Sequence, residues 1–192
     1  MVQSASKDAM RRLVDGEIPW DEAKELLHIN PKEDGRFRTY MEVLKEKWKF
    51  DDELLLRISE HLYIVRKKEG SRVVKCDCGH EFGDYRANWK LSSKVYVRRT
   101  KEELAEVMTI EPRNYPNPKL VEVREWYCPG CFAQIGVDVV PRGYPVLWEF
   151  FPDIDTFYRE WLDVPLKDQR PDWYEDKTPE RVAQWAHKTS GG

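Results

Sequence analysis

The spacing of apolar residues changes character along the chain. In the first fifty residues it is helical. Asp21 to Leu27 predicts a short helix after Pro19, ended by "INPKEDG" at Pro31 and Gly35. Phe37, Tyr40, Met41, Leu44 and Trp48 then follow at i, i+3, i+4, i+7 and i+11. One apolar stripe on a helix from about Arg36 to Trp48 is the result, with charges on the opposite face. Two destinations suit that stripe: the chain's own core, or another subunit.

The middle of the chain reads as β-structure. "ELLLRI", "HLYIVRK" and "SRVVK" are short β-branched or aromatic runs, and Glu69-Gly70-Ser71 supplies a hairpin turn. "KVYVRR" alternates Val95 and Val97 with Tyr96 and Arg98, the pattern of a half-buried strand. Thr100 and Glu103 make a capping box that opens a helix running through Met108. "EPRNYPNP" is a proline-rich loop, and "LVEVREWY" and "QIGVDVV" are two further strands.

Beyond Pro152 the helical period returns. Asp153 is a candidate N-cap, and Ile154, Phe157, Tyr158, Trp161 and Leu162 share a face. From Asp163 the chain turns polar and proline-bearing, a tail expected to lie over a partner or remain loose. Thr178-Pro179 starts a last helix, "PERVAQWAHK". The expected class is α+β. It comprises an N-terminal helical segment (1–50), an antiparallel β module (51–162) whose two cysteine pairs, in "VVKCDCGHEF" and "WYCPGCFA", make it zinc-ribbon-like and which ends in an amphipathic helix, and a polar C-terminal tail (163–192).

Composition narrows the function. The chain has 192 residues, is 35% charged and carries a net charge of −3. That predicts a mixed-sign surface and disfavours a dedicated nucleic-acid binder, although Arg86, Lys90, Lys94, Arg98 and Arg99 could form a local basic face. No run approaches the ~18 apolar residues of a membrane helix. The N-terminus has no apolar signal core, so the expected location is cytoplasmic.

The four cysteines carry the clearest chemistry. Cys76 and Cys78 lie one residue apart in "VVKCDCGHEF", and Cys128 and Cys131 two apart in "WYCPGCFA". Each pair follows a strand-like run and sits among turn residues (Gly79; Pro129 and Gly130), so two turn tips could complete a tetrahedron of thiolates at about 2.3 Å from one zinc ion. Disulfides within so short a spacing would close strained loops, and a redox Cys-x-x-Cys should open a helix, whereas β-rich sequence follows here. An iron–sulfur cluster also uses four thiolates. His80 is a rival ligand; its alternatives are a hydrogen bond to a ligand sulfur or a place on the surface. A four-thiolate site leaves no open position for an activated water, which makes such a zinc structural.

Catalytic signatures are missing. The sequence contains no G-x-x-x-x-G-K-[ST], G-x-G-x-x-G or H-E-x-x-H. His28 and His187 fall in terminal helices, and His61 begins a strand. Asp84, Asp153 and Asp155 are explained by turn and cap roles. No catalytic or nucleotide-binding residue is assigned to this chain.

Specific segments resemble one family. "KCDCGHEFGDYRANWKLS", "VREWYCPGC" and "FPDIDTFYREWL" are similar to the gamma subunit of acetone carboxylase, as are "LVDGEI" and "GRFRTYMEVLKEKWKFDDELLL". The likeness runs in order over roughly residues 12 to 165. The resemblance implies an α2β2γ2 bacterial complex that carboxylates acetone with bicarbonate to acetoacetate at the expense of ATP. ATP and Mn²⁺ would be bound by the large alpha and beta subunits. Cys76, Cys78, Cys128 and Cys131 would hold zinc on this one. Acetophenone carboxylases, with a related small subunit, are the nearest alternative; a zinc-ribbon nucleic-acid module and a redox protein are more distant ones. One departure touches the site: glycine usually follows the second cysteine of a knuckle, but Phe132 follows Cys131.

Overall fold

The computed structural model describes residues 6–28, 35–108, 114–169 and 174–190. Pro31 and the beginning of the "EPRNYPNP" loop lie outside them. The N-terminal segment forms α1 (Lys7–Asp15), α2 (Trp20–His28) and α3 (Arg36–Lys47). The Ser6 side chain caps α1 by accepting from the Ala9 amide, and Gly16 ends it at φ 72°. The apolar stripe of α3 finds the chain's own core. Met41 and Leu44 are buried with Leu54, Tyr63 and Val65, and Phe37, Tyr40 and Trp48 pack against them. Val43, on the neighbouring face, meets Met10 of α1.

Four antiparallel strands form the first sheet in the order β1 (Glu53–Arg57), β2 (Leu62–Arg66), β3 (Arg72–Cys76) and β4 (Glu81–Asp84). The β2–β3 hairpin closes where expected: Gly70 donates to the Lys67 carbonyl and adopts φ 92°, a conformation natural to glycine. Leu55, Leu62, Ile64, Val74 and Cys76 face the main core, joined by Phe82, Tyr85, Trp126, Ile135 and Ile154.

The second sheet is antiparallel in the order β5 (Lys94–Arg98), β6 (Val121–Tyr127) and β7 (Gln134–Pro141). Between β5 and β6, α4 (Lys101–Ala105) begins with the expected capping box, Thr100 and Glu103 each bonding the other's amide; it is shorter than the sequence implied. The half-buried reading of β5 is corrected. Val95 and Tyr96 are exposed, whereas Arg98 is buried because Glu125 (2.9 Å) and Glu106 (2.6 Å) satisfy its guanidinium. The same inversion marks β7, where Asp138 is buried between the exposed Val137 and Val139.

The C-terminal helix is also corrected. Asp153 caps α5 (Ile154–Thr156) by accepting from the Thr156 amide, but Phe157–Trp161 then widens into a π turn, with Leu162 donating to the Phe157 carbonyl. That winding leaves Trp161 79% exposed. Asp155 is no cap residue either; it forms a bidentate pair with the buried Arg72 (2.5 and 3.0 Å). The described tail returns to the module instead of lying loose. Leu166 joins the main core, Asp168 pairs with Arg66 and Arg72, and Tyr174 stacks on Phe151. Lys177 donates its amide to the Arg86 carbonyl, and α6 (Thr178–Ser190) follows at the expected start.

Candidate metal centre

Each cysteine pair sits where a hairpin turns. In the first, Cys76 ends β3, its amide donates to the His80 carbonyl (2.8 Å), and Gly79 at φ 98° donates back to the Cys76 carbonyl (2.9 Å). The second turn, between β6 and β7, repeats this scheme with one residue more. Cys128 donates to the Ala133 carbonyl (3.0 Å), and the Phe132 amide donates to the Cys128 carbonyl (2.9 Å). Phe132 therefore occupies the place of Gly79, and it does so at φ 62°, a left-handed conformation that is strained for a residue with a Cβ.

The two turns bring all four sulfurs within 4.8 Å of one another. Sulfurs pair across the turns, Cys76 with Cys131 at 3.8 Å and Cys78 with Cys128 at 3.7 Å. A tetrahedron with zinc–sulfur bonds of about 2.3 Å has sulfur–sulfur edges of about 3.8 Å, so the donor set fits that ion. These separations far exceed the ~2.05 Å of a disulfide, and all four cysteines are free. Each turn supplies one buried cysteine (Cys76, Cys128) and one exposed (Cys78, Cys131). Burial pushes the Cys76 thiol well above its ordinary range, and the thiol donates to the Asp77 carboxylate at 3.3 Å. A bound cation would reverse that preference by stabilising the thiolate.

The turns are pressed together. A Cβ on Gly130 would come within 3.0 Å of the His80 Cβ and 3.3 Å of the Cys78 sulfur, so glycine is required there for close approach. His80 fills this contact and sets its ring edge-on to Phe82. The four-residue cluster with ligand-like geometry does not include it. His61, expected only to begin a strand, has an acidic partner: it hydrogen-bonds Asp77 through Nδ1 (2.7 Å), and both line a 480 Å³ cleft with Trp48, Arg57 and Tyr63. Strand pairing, which places Leu62 opposite Cys76, is what brings them together.

Two ion networks, each built on a buried cation, hold the sheets that carry the two turns. Lys90 donates to Asp138 (2.8 and 3.0 Å) and Glu149 (2.6 Å), while the Trp126 indole donates to Asp138 (2.8 Å). Arg72 links β3 to Asp155 and Asp168. Pairing engages four of the five residues of the candidate basic face, Lys94 excepted: Arg86 binds Asp84, Lys90 binds Asp138, Arg98 binds Glu125, and Arg99 binds Glu122. Among the described residues no helix is long and apolar enough to cross a membrane.

A family profile described as acetone carboxylase gamma subunit matches residues 48–162, which include both turns. The acetone carboxylase gamma subunit of Xanthobacter autotrophicus is 40% identical over 159 residues, covering 82% of this chain and 92% of that protein. The acetophenone carboxylase beta subunit of Aromatoleum aromaticum is 34% identical over 80 residues, 42% of this chain and 62% of that protein. With a profile and a near full-length relative in agreement, the chain belongs to the acetone carboxylase gamma subunit family.

Proposed function

We propose that this chain is the small zinc-holding subunit of an ATP-dependent ketone carboxylase, with a structural and assembly role and no active site of its own. The observation that carries the reading is the four-sulfur cluster inside the segment matched by the family profile. Cys76, Cys78, Cys128 and Cys131 would hold one Zn²⁺. When bound, the ion supplies cross-linking of two hairpins and no Lewis-acid chemistry, because four thiolates fill its tetrahedral shell. The chain's own part is to fix those sulfurs on short turns and bury two of them under the core shared by both sheets.

The complex would be cytoplasmic and of α2β2γ2 composition, turning acetone, bicarbonate and ATP into acetoacetate. Nucleotide and Mn²⁺ would sit on the larger subunits. The likeness to an acetophenone carboxylase subunit keeps an aromatic ketone as the second substrate reading. A nucleic-acid role is disfavoured by the ion pairs that engage Arg86, Lys90, Arg98 and Arg99.

Cys128→Ser tests the reading in the chain co-expressed with the other carboxylase subunits. Zinc and assembly should be lost together. An assembled, active complex that lacks zinc would overturn the structural role.

A further inference from the structure

One face of the second sheet leaves several apolar side chains exposed. Strand register places Tyr96, Glu125 and Val137 in one row and Arg98, Val123 and Val139 in the next. Paired residues share a face. Tyr96, Val137 and Val139 are 45%, 53% and 58% exposed, whereas Arg98, Val123 and Glu125 in the same rows are buried, so the exposed side chains stand on the two outer strands, β5 and β7. Phe132, 61% exposed, stands at the metal-centre end of this sheet, in the β6–β7 turn, with the Lys94 ammonium 4.6 Å from its ring centroid. Lys94, Tyr127 and Gln134 form the row that leads to it.

Two independent features give this surface a direction. Phe132 holds a left-handed backbone that glycine would adopt without strain, as Gly79 does in the other turn. An exposed aromatic kept at a strained position points to recognition. The second feature is charge. Among the described residues no carboxylate pairs with Lys94, whereas Glu125 and Glu106 are both engaged by Arg98. A second copy of this face would thus bring another Lys94 and no free carboxylate to answer it.

We infer that Phe132, Tyr96, Val137 and Val139 form a docking surface for another subunit of the carboxylase, one that presents an apolar patch with a carboxylate at its edge to meet Lys94. This rests on the subunit reading above. Aromatic side chains at the centre of an interface commonly carry most of its binding energy.

The test compares wild-type chain with Phe132→Gly, Val139→Lys and Lys94→Glu, each co-expressed in full length with the other carboxylase subunits. Phe132→Gly should weaken assembly at least about tenfold, while the isolated variant keeps its metal content and melts no lower than wild type. Val139→Lys should act likewise, and Lys94→Glu more weakly. A wild-type chain that never assembles overturns both this inference and the subunit reading. Wild-type assembly with equal assembly of Phe132→Gly and Val139→Lys overturns the docking surface alone. A wild-type homodimer that Phe132→Gly converts to monomer overturns the choice of partner.

Discussion

Sheet β1–β4 turns Leu55, Leu62, Ile64 and Val74 into the core and buries two cations, Arg72 and Lys75, whereas sheet β5–β7 adds Trp126 and Ile135 to that core but also buries Arg98, Glu122, Arg124, Glu125 and Asp138 and leaves Val137 and Val139 outside. Both end in a cysteine turn, and those turns meet at the four sulfurs. The first sheet is held mainly by removal of apolar surface from water, a non-directional force that tolerates small shifts. The second adds to its share of that core a larger set of buried charges, which are satisfied only at short range and in one geometry. The difference suggests a division of labour. One sheet anchors the helical segment through Leu54, Tyr63 and Val65, and the other is positioned by polar pairing so that its apolar side remains available.

Lys90→Met should break this contrast most sharply, since it leaves Asp138 buried without its cation. A loss of about 3–5 kcal/mol is expected in denaturant unfolding. Adding Asp138→Leu should recover only part of it, because both members of the buried pair are then replaced but the Trp126 indole N–H loses its acceptor. A small effect of the single variant would mean that the network stabilises little. The apolar sheet gives the matching measurement. Leu62→Ala, at a fully buried position, should cost about 2–5 kcal/mol, and Val139→Ala, on the outer face of the other sheet, about 0.5 kcal/mol or less in the isolated chain. Equal losses at the two positions would show that Val139 is covered within the chain itself.

Acid should act through the tail. Burial would raise the Asp168 pKa, but the guanidinium groups of Arg72 and Arg66 outweigh it and hold the carboxyl below its ordinary range. A depressed folded-state pKa contributes stability above the unfolded value of about 3.9, and that contribution is lost as pH falls through the folded value. Asp168→Asn should therefore lower stability at neutral pH and flatten its dependence on pH below about 4. An unchanged acid profile would detach Asp168 from the fold.

Much of the architecture was legible where one force decides. The α3 stripe, the Thr100–Glu103 capping box and the Asp153 cap follow from spacing and local hydrogen bonding alone, and each is present. So is the gathering of four cysteines, because two short-spaced pairs on turns have few other arrangements. The inverted sheet was not legible. In "QIGVDVV" an alternation of valine and aspartate has no sign until Lys90 and the Trp126 indole supply partners for Asp138 from distant segments. Nor could a helical period reveal the π turn that exposes Trp161, or the tail contacts of Leu166 and Asp168, which depend on Arg72 and the core. The Phe132 departure was visible as a misplaced residue, but its left-handed backbone required the turn to be seen.

The proposed joining of the two sheets at one metal is tested most directly by metal analysis of the purified full-length chain, followed by far-UV circular dichroism and thermal melting in the presence of a chelator. One zinc per chain is expected, with cooperative loss of β-structure on its removal. A metal-free chain with the same spectrum and the same melting temperature would contradict it.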